Sequence, residues 1–321
     1  VRRARAPAWC LAAALALGSA GTALAAPPTL LPGATSLPPA PSNDPTADLA
    51  YGAYQRGYYV TALREATKRL EANKTDRAAM TLLGELYGQG LGVRQDPARA
   101  AEWYRIAAQL GDAHAASTLG MMQIEGRGVP KDPGAGRALL EKAAAQADAT
   151  ASYNLALILL GGGTPADLAR AADLLRQAAH QELAAAQHAL GVLYLQGRGV
   201  PRDTARAADW FRRAADNGDL AGEVEFSILL FNGEGVQKDE ARAARYFRHA
   251  AARGNAVAQN RVARLYASGR GLPKNLVEAA AWDIAARAQG LSDAWLSQAV
   301  AGLGPEEKAR AERLAADRNG P

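Results

Sequence analysis

Cysteine is almost missing from this chain. Of 321 residues only Cys10 carries a thiol, and it lies in a segment that reads as a removable leader. With that segment gone the protein forms no disulfide, offers no thiol nucleophile and has no thiolate for a metal. Aromatic residues are scarce, at 6%. No run of β-branched residues bounded by turn residues suggests a strand. Catalytic patterns are missing too: there is no His-Glu-x-x-His, no phosphate loop ending Gly-Lys-Ser/Thr and no Gly-x-Ser-x-Gly. The four histidines, His114, His180, His188 and His249, fall into no ligand spacing and read as solvated side chains. The expectation is a protein with no catalytic residues, no cofactor and no metal.

A long hydrophobic run is also lacking. Residues 9–17 are uncharged and apolar, about half of the ~20 a membrane span needs. They follow Arg2, Arg3 and Arg5 and precede Ala23-Leu24-Ala25, a small-x-small cleavage site. Residues 1–25 are therefore expected to be a signal peptide. The mature protein would start near Ala26, in the periplasm or outside the cell, with no stable membrane insertion. The 37 basic and 32 acidic residues give a formal charge of +5. Without the three leader arginines, 34 basic residues face the 32 acidic ones, a charge of +2. That balance supplies no electrostatic footprint for nucleic acid.

What the chain has is alanine, glycine and a period. Gly84, Gly120, Ala156, Gly191, Ser227 and Ala263 recur at steps of 36 residues, with a single step of 35. A fixed period of that size means a stack of helix pairs, each burying its apolar face against the next. In one unit, Asp112 caps the first helix and Gly126-Arg127-Gly128-Val129 makes the turn. Asp132-Pro133 then opens the second helix with a cap and a proline at its first position. The glycines are expected to supply positive φ. Asp96, Asp203, Asp239 and Asn275 stand at the corresponding caps. Trp103-Tyr104, Trp210-Phe211 and Tyr246-Phe247 recur at one phase, and Trp282-Asp283 stands there in the last unit. The fixed phase of these doublets predicts core between repeats, not a carbohydrate platform. The third unit departs from the pattern: Gly161-Gly162-Gly163-Thr164-Pro165 replaces the turn, and Leu174-Leu175 replaces the aromatics.

These units resemble Sel1-like repeats, longer relatives of tetratricopeptide repeats. The likeness rests on Leu83-Gly84, Tyr87, Gly90, Gly92, Val93, Trp103-Tyr104 and Ala107-Ala108, and on their counterparts in the other units. It implies an all-α fold, a right-handed α-solenoid of antiparallel helix pairs. Residues 26–46, rich in Pro and Ala, read as a disordered leader. Residues 47–77 read as a shorter tetratricopeptide-like pair, 78–290 as six repeats and 291–321 as capping helices. The resemblance also implies an exported bacterial adaptor rather than an enzyme, since Sel1-like proteins are commonly adaptors in envelope signalling, exopolysaccharide control and secretion. A cysteine-rich secreted subgroup is described as β-lactam-binding or hydrolytic. It pairs cysteines within each repeat, and the mature chain would have none. Direct binding of peptidoglycan or another glycan is a third alternative.

By analogy with tetratricopeptide repeats, the first helices of the pairs line a concave face that takes a protein or peptide. The exposed positions are expected three before and one after the small residue. This selects Ser117, Tyr153, His188, Asn260 and Arg264 as protein-binding candidates. Glu225 and Arg261 share a phase in adjacent units and are expected to form a salt bridge between repeats.

Overall fold

The computed structural model describes residues 45–318, and among them every regular element is an α-helix. The expected signal peptide, with Cys10, and nearly all of the Pro/Ala-rich leader lie outside the described residues. Helices α1 (Pro45–Gln55) and α2 (Tyr59–Ala72) form a first pair. The repeats follow as α3 (Arg77–Gln89) with α4 (Pro97–Gln109), then α5 (Ala113–Glu125) with α6 (Pro133–Ala145). The third pair is α7 (Ala149–Gly162) and α8 (Pro165–His180), the fourth α9 (Ala184–Gln196) and α10 (Thr204–Asp216). The fifth is α11 (Leu220–Asn232) and α12 (Glu240–Ala252), the sixth α13 (Ala256–Ser268) and α14 (Leu276–Ala288). A short α15 (Ala294–Ala299) and α16 (Pro305–Arg318) close the chain. Helices α1 to α7, and again α9 to α14, pack mainly on their neighbours in sequence, the contact pattern of an α-solenoid, and α16 packs on α14. The residues divide into two compact units: an N-terminal one of residues 45–163 with Asp173–Gln181, and a C-terminal one of Thr164–Ala172 with residues 182–318.

Local chemistry starts and stops these helices as the repeat pattern demands. The carboxylates of Asp96, Asp132, Asp203 and Asp239, and the Asn275 amide oxygen, accept the backbone N–H three residues on, at 2.8–3.1 Å. Each satisfies one of the orphan donors at a helix start. The first helix of most repeats stops at a left-handed glycine, such as Gly126 (φ 77°) or Gly233 (φ 78°).

The second glycine of each turn has a further reason to be glycine. A Cβ on Gly235 would lie 2.3 Å from the Thr204 carbonyl oxygen, and one on Gly271 2.4 Å from that of Glu240. On Gly128 it would meet the Pro97 backbone at 2.4 Å. The turn of one repeat thus rests on the start of the second helix of the repeat before it. This contact sets the spacing of the stack.

The periodic small residue has a partner inside its own repeat. A Cβ on Gly84 would fall 2.6 Å from the Tyr104 ring, and one on Gly191 2.7 Å from the Phe211 ring. The second member of each aromatic doublet is buried, while Trp103 and Tyr246, first members, are half-exposed. The second members are core, as expected of the doublets. Tyr104 and Phe211, however, fill the crossing of the two helices of one repeat rather than the joint between repeats. The stack ends on α16, which covers Ala280 and Ala281 of α14 with Ala311 and Ala315. Arg318 fixes it by an ion pair to Glu278 (2.5 Å) and by lying 4.1 Å over the Trp282 ring.

Candidate functional site

The first helices of the repeats differ sharply between the two units. In the N-terminal unit α3 is buried continuously from Ala79 to Tyr87, and α5 from Ala115 to Met122. A helix apolar or small all round has no face to offer solvent. Ser117 (1% exposed) and Tyr153 (4%) are therefore inside, not on a surface, which corrects their assignment as exposed binding positions. The cause is packing on every side: α5 is held by α4, α6 and α7. The Thr81 and Ser117 hydroxyls, one repeat apart, and the Asn154 amide are buried with no hydrogen-bond partner among the described residues. Beside them Tyr104 Oη donates to Glu85 Oε2 at 2.8 Å, and Gln89 Nε2 donates to the other carboxylate oxygen. Burial first, then the Glu85 charge, holds the Tyr104 phenol well above its usual range.

In the C-terminal unit the position after the small residue stays partly open in all three repeats, whereas three before it Val224 is buried. His188 and Val192 of α9, Ile228 of α11, and Asn260 and Arg264 of α13 are half-exposed. The His188 ring lies 5.6 Å from that of Phe211, and burial pushes its pKa down, with Asp219 opposing. His188 is thus held toward the neutral form and behaves as a packing residue with one open edge. Trp295, 46% exposed, stands at the end of the row with the Arg264 guanidinium 5.2 Å from its ring. The result is an apolar strip with polar spots, ending in an aromatic. Among the described residues no three His, Cys, Asp or Glu side chains gather to hold a metal ion.

The Sel1 repeat model matches residues 77–112, 113–148, 149–183, 184–219, 222–255 and 256–290. This chain belongs to the Sel1 repeat family. Among solved structures it is similar to a Sel1 repeat protein from Oxalobacter formigenes, at 29% identity over 76% of this chain and 99% of that one, with a TM-score of 0.67. It is also similar to c5321, a protective antigen of uropathogenic Escherichia coli with an SLR fold, at 26% identity over 85% of this chain and 68% of that one, with a TM-score of 0.53. Comparison with curated proteins gives no match. Sel1 repeat proteins are generally protein–protein interaction scaffolds and generally non-catalytic. No helix among the described residues is long and apolar enough to cross a membrane.

Two of this Sel1 repeat protein's candidate residues have partners that the repeat period gave no reason to expect. Arg264 Nε and Asn260 Nδ2 both donate to Asp293 Oδ2, at 2.5 and 2.9 Å. Asp293 lies in the linker after the last repeat, and only its place before Ala294-Trp295 marks it as a helix cap. Asn260 and Arg264 thus tie α13 to α15 as well as bordering the open strip.

The expected bridge between Glu225 and Arg261 does not form: no ion pair within 4.0 Å joins them. Their charges act on each other at longer range. Burial pushes the Glu225 carboxyl up against the pull of Arg261. Burial and then Arg264 push the Arg261 guanidinium down, against the pull of Asp293 and Glu225. Arg261 is drawn toward acids on two sides and closes on neither.

Proposed function

We propose that this chain is a non-enzymatic scaffold that holds a protein or peptide partner on the first-helix strip of its C-terminal unit. The observation that carries the reading is the half-exposed row of Val192, Ile228 and Arg264, one phase kept over three repeats, with His188 one turn before Val192 and the exposed Trp295 at the end. A strip of this kind suits an extended or helical segment laid across successive repeats. The workplace proposed for it is the bacterial cell envelope, reached after removal of residues 1–25. The support is the basic, apolar and small-x-small order of that segment.

The test is affinity capture from an envelope fraction, comparing the native chain with Ile228→Asp. Ile228 is only half-buried, so the variant is expected to keep its helicity and melting temperature while losing the captured partner. Equal capture by a folded variant would overturn the proposed face. N-terminal sequencing tests the compartment: a start near Ala26 is expected, and a chain still carrying Arg2 and Arg3 would overturn export.

A further inference from the structure

Helix α12 carries positive charge that its surroundings do not neutralise. Its arginines are Arg242, Arg245 and Arg248, followed at the C-cap by Arg253. Its one acid, Glu240, is already bound to Lys238 at 2.9 Å and to Arg270 at 2.6 Å. Among the described residues Arg245, Arg248 and Arg253 have no ion pair and no hydrogen-bonded acid. Helix α10, one repeat earlier, is different. There Arg212 pairs with Asp209 and Asp216, Arg213 with Asp209, and Arg206 with Asp203.

The unneutralised face also has a hollow. A depression of about 330 Å³ is lined by Ala215, Glu223, Arg242, Arg245, Tyr246 and His249. Residues 242, 245, 246 and 249 stand at i, i+3, i+4 and i+7, one face of one helix. Two of its walls are fixed from behind. The Tyr246 ring packs edge-on against Phe226 at 5.4 Å, and its hydroxyl takes a long contact from Arg242 Nη2 at 3.4 Å. His249 Nδ1 sits 2.8 and 2.9 Å from the two oxygens of Glu223, which is only 4% exposed. Glu223 is therefore spent on His249, while Arg242 and Arg245, both exposed, line the hollow without an acidic partner among the described residues.

We infer that this hollow is a second binding site, for an acidic peptide segment whose carboxylates meet Arg242 and Arg245. Guanidinium matches carboxylate in shape and charge, and Tyr246 supplies an apolar wall for the side-chain stem. The occupant is short. The neighbouring track on α10 is cancelled by its own aspartates, so a long polyanion such as nucleic acid finds no continuous path. The site is built on the second helices α10 and α12, with Glu223 of α11 behind His249, and shares no residue with the first-helix strip.

Fluorescence anisotropy of a fluorescein-labelled oligoglutamate peptide, at low and at physiological salt, tests this. Arg242→Gln with Arg245→Gln is expected to weaken binding about tenfold, since each removes an exposed charge-assisted contact. The glutamine counterpart of the peptide is expected not to bind. Arg105→Gln with Lys142→Gln, the same charge loss in the other unit, is expected to leave affinity unchanged. Equal binding by the Arg242/Arg245 variant and the native chain would overturn the site. So would an oligothymidylate that displaces the peptide at equal concentration, or equal loss in the Arg105/Lys142 control. Both variants change exposed side chains, and a melting curve checks their folding. Ile228→Asp is expected to leave peptide binding intact, which separates failure of this site from failure of the first-helix strip.

Discussion

Asp293 Oδ2 accepts Arg264 Nε at 2.5 Å while its other oxygen caps α15 by accepting the Trp295 and Leu296 amides at 3.0 and 3.2 Å. One buried carboxylate thus joins the last repeat to the capping region. Asp293→Ala removes a helix cap, worth ~1 kcal/mol, and a charge-assisted bond worth a further ~1–2 kcal/mol. A destabilisation of about 2–3 kcal/mol is expected, read by urea unfolding. Burial alone would raise the Asp293 pKa, but hydrogen bonds from Arg264, Asn260 and the Leu296 amide outweigh it, and the native value lies below the ordinary 3.8. Its contribution is therefore full above that unfolded value and lost as pH falls through the lowered native one. The acid limb of the stability curve is expected to flatten in the variant; an unchanged limb would show that the bond does not form in solution.

Asp283 runs the other way. It stands where Tyr104, Phe211 and Phe247 stand in other repeats, fully buried, with neither oxygen in a hydrogen bond among the described residues. Arg287 forms an ion pair with it at 2.9 Å. Burial first, with Asp293 adding to it, raises its pKa above the ordinary 3.8. Its contribution is full below that unfolded value and is lost as pH rises through the raised native one. Asp283→Leu is expected to stabilise the protein by about 1–3 kcal/mol at neutral pH, because a well-packed apolar group replaces a poorly paired charge. The gain is expected to shrink at pH 4. Melting temperatures at the two pH values decide it, and an equal or larger gain in acid would refute the assignment.

The turn glycines separate conformation from contact. Gly235 and Gly254 both have positive φ, 68° and 86°. A Cβ on Gly254 meets nothing within 4 Å, whereas one on Gly235 strikes the Thr204 carbonyl. Gly254→Ala is expected to cost about 1 kcal/mol, the price of a left-handed alanine. Gly235→Ala is expected to cost roughly 3 kcal/mol or more, because backbone of the preceding repeat must move. Equal costs in thermal unfolding would mean that the turn does not bear on its neighbour.

Most of this architecture is legible in the sequence because the repeat is local. Asp132 caps α6 and Gly126 ends α5 within a few residues of where they stand, so spacing alone reveals both. Gly235 was legible as a turn glycine, but not as the seat for Thr204, since that contact links residues a repeat apart. The surface was less legible. The phase that leaves Asn260 half-open closes over Ser117, because residues 115–122 of α5 are buried throughout while α13 carries Asn260, Arg261 and Arg264. Asp293 was missed because it lies outside the period, and a lone aspartate in a linker names no partner.

Ser117 offers the sharpest test of that difference. Its hydroxyl is buried without a hydrogen-bond partner among the described residues, so it loses water on folding and gains nothing in return. Ser117→Ala removes the unsatisfied group with almost no change of volume and is expected to stabilise the protein by about 1 kcal/mol. Ser117→Arg forces a long cation into the same space and is expected to cost about 3 kcal/mol or more. If Ser117 instead lined an open binding face, both substitutions would leave urea unfolding within ~0.5 kcal/mol of the native chain. Opposite signs for alanine and arginine would place the residue in the core of the N-terminal unit.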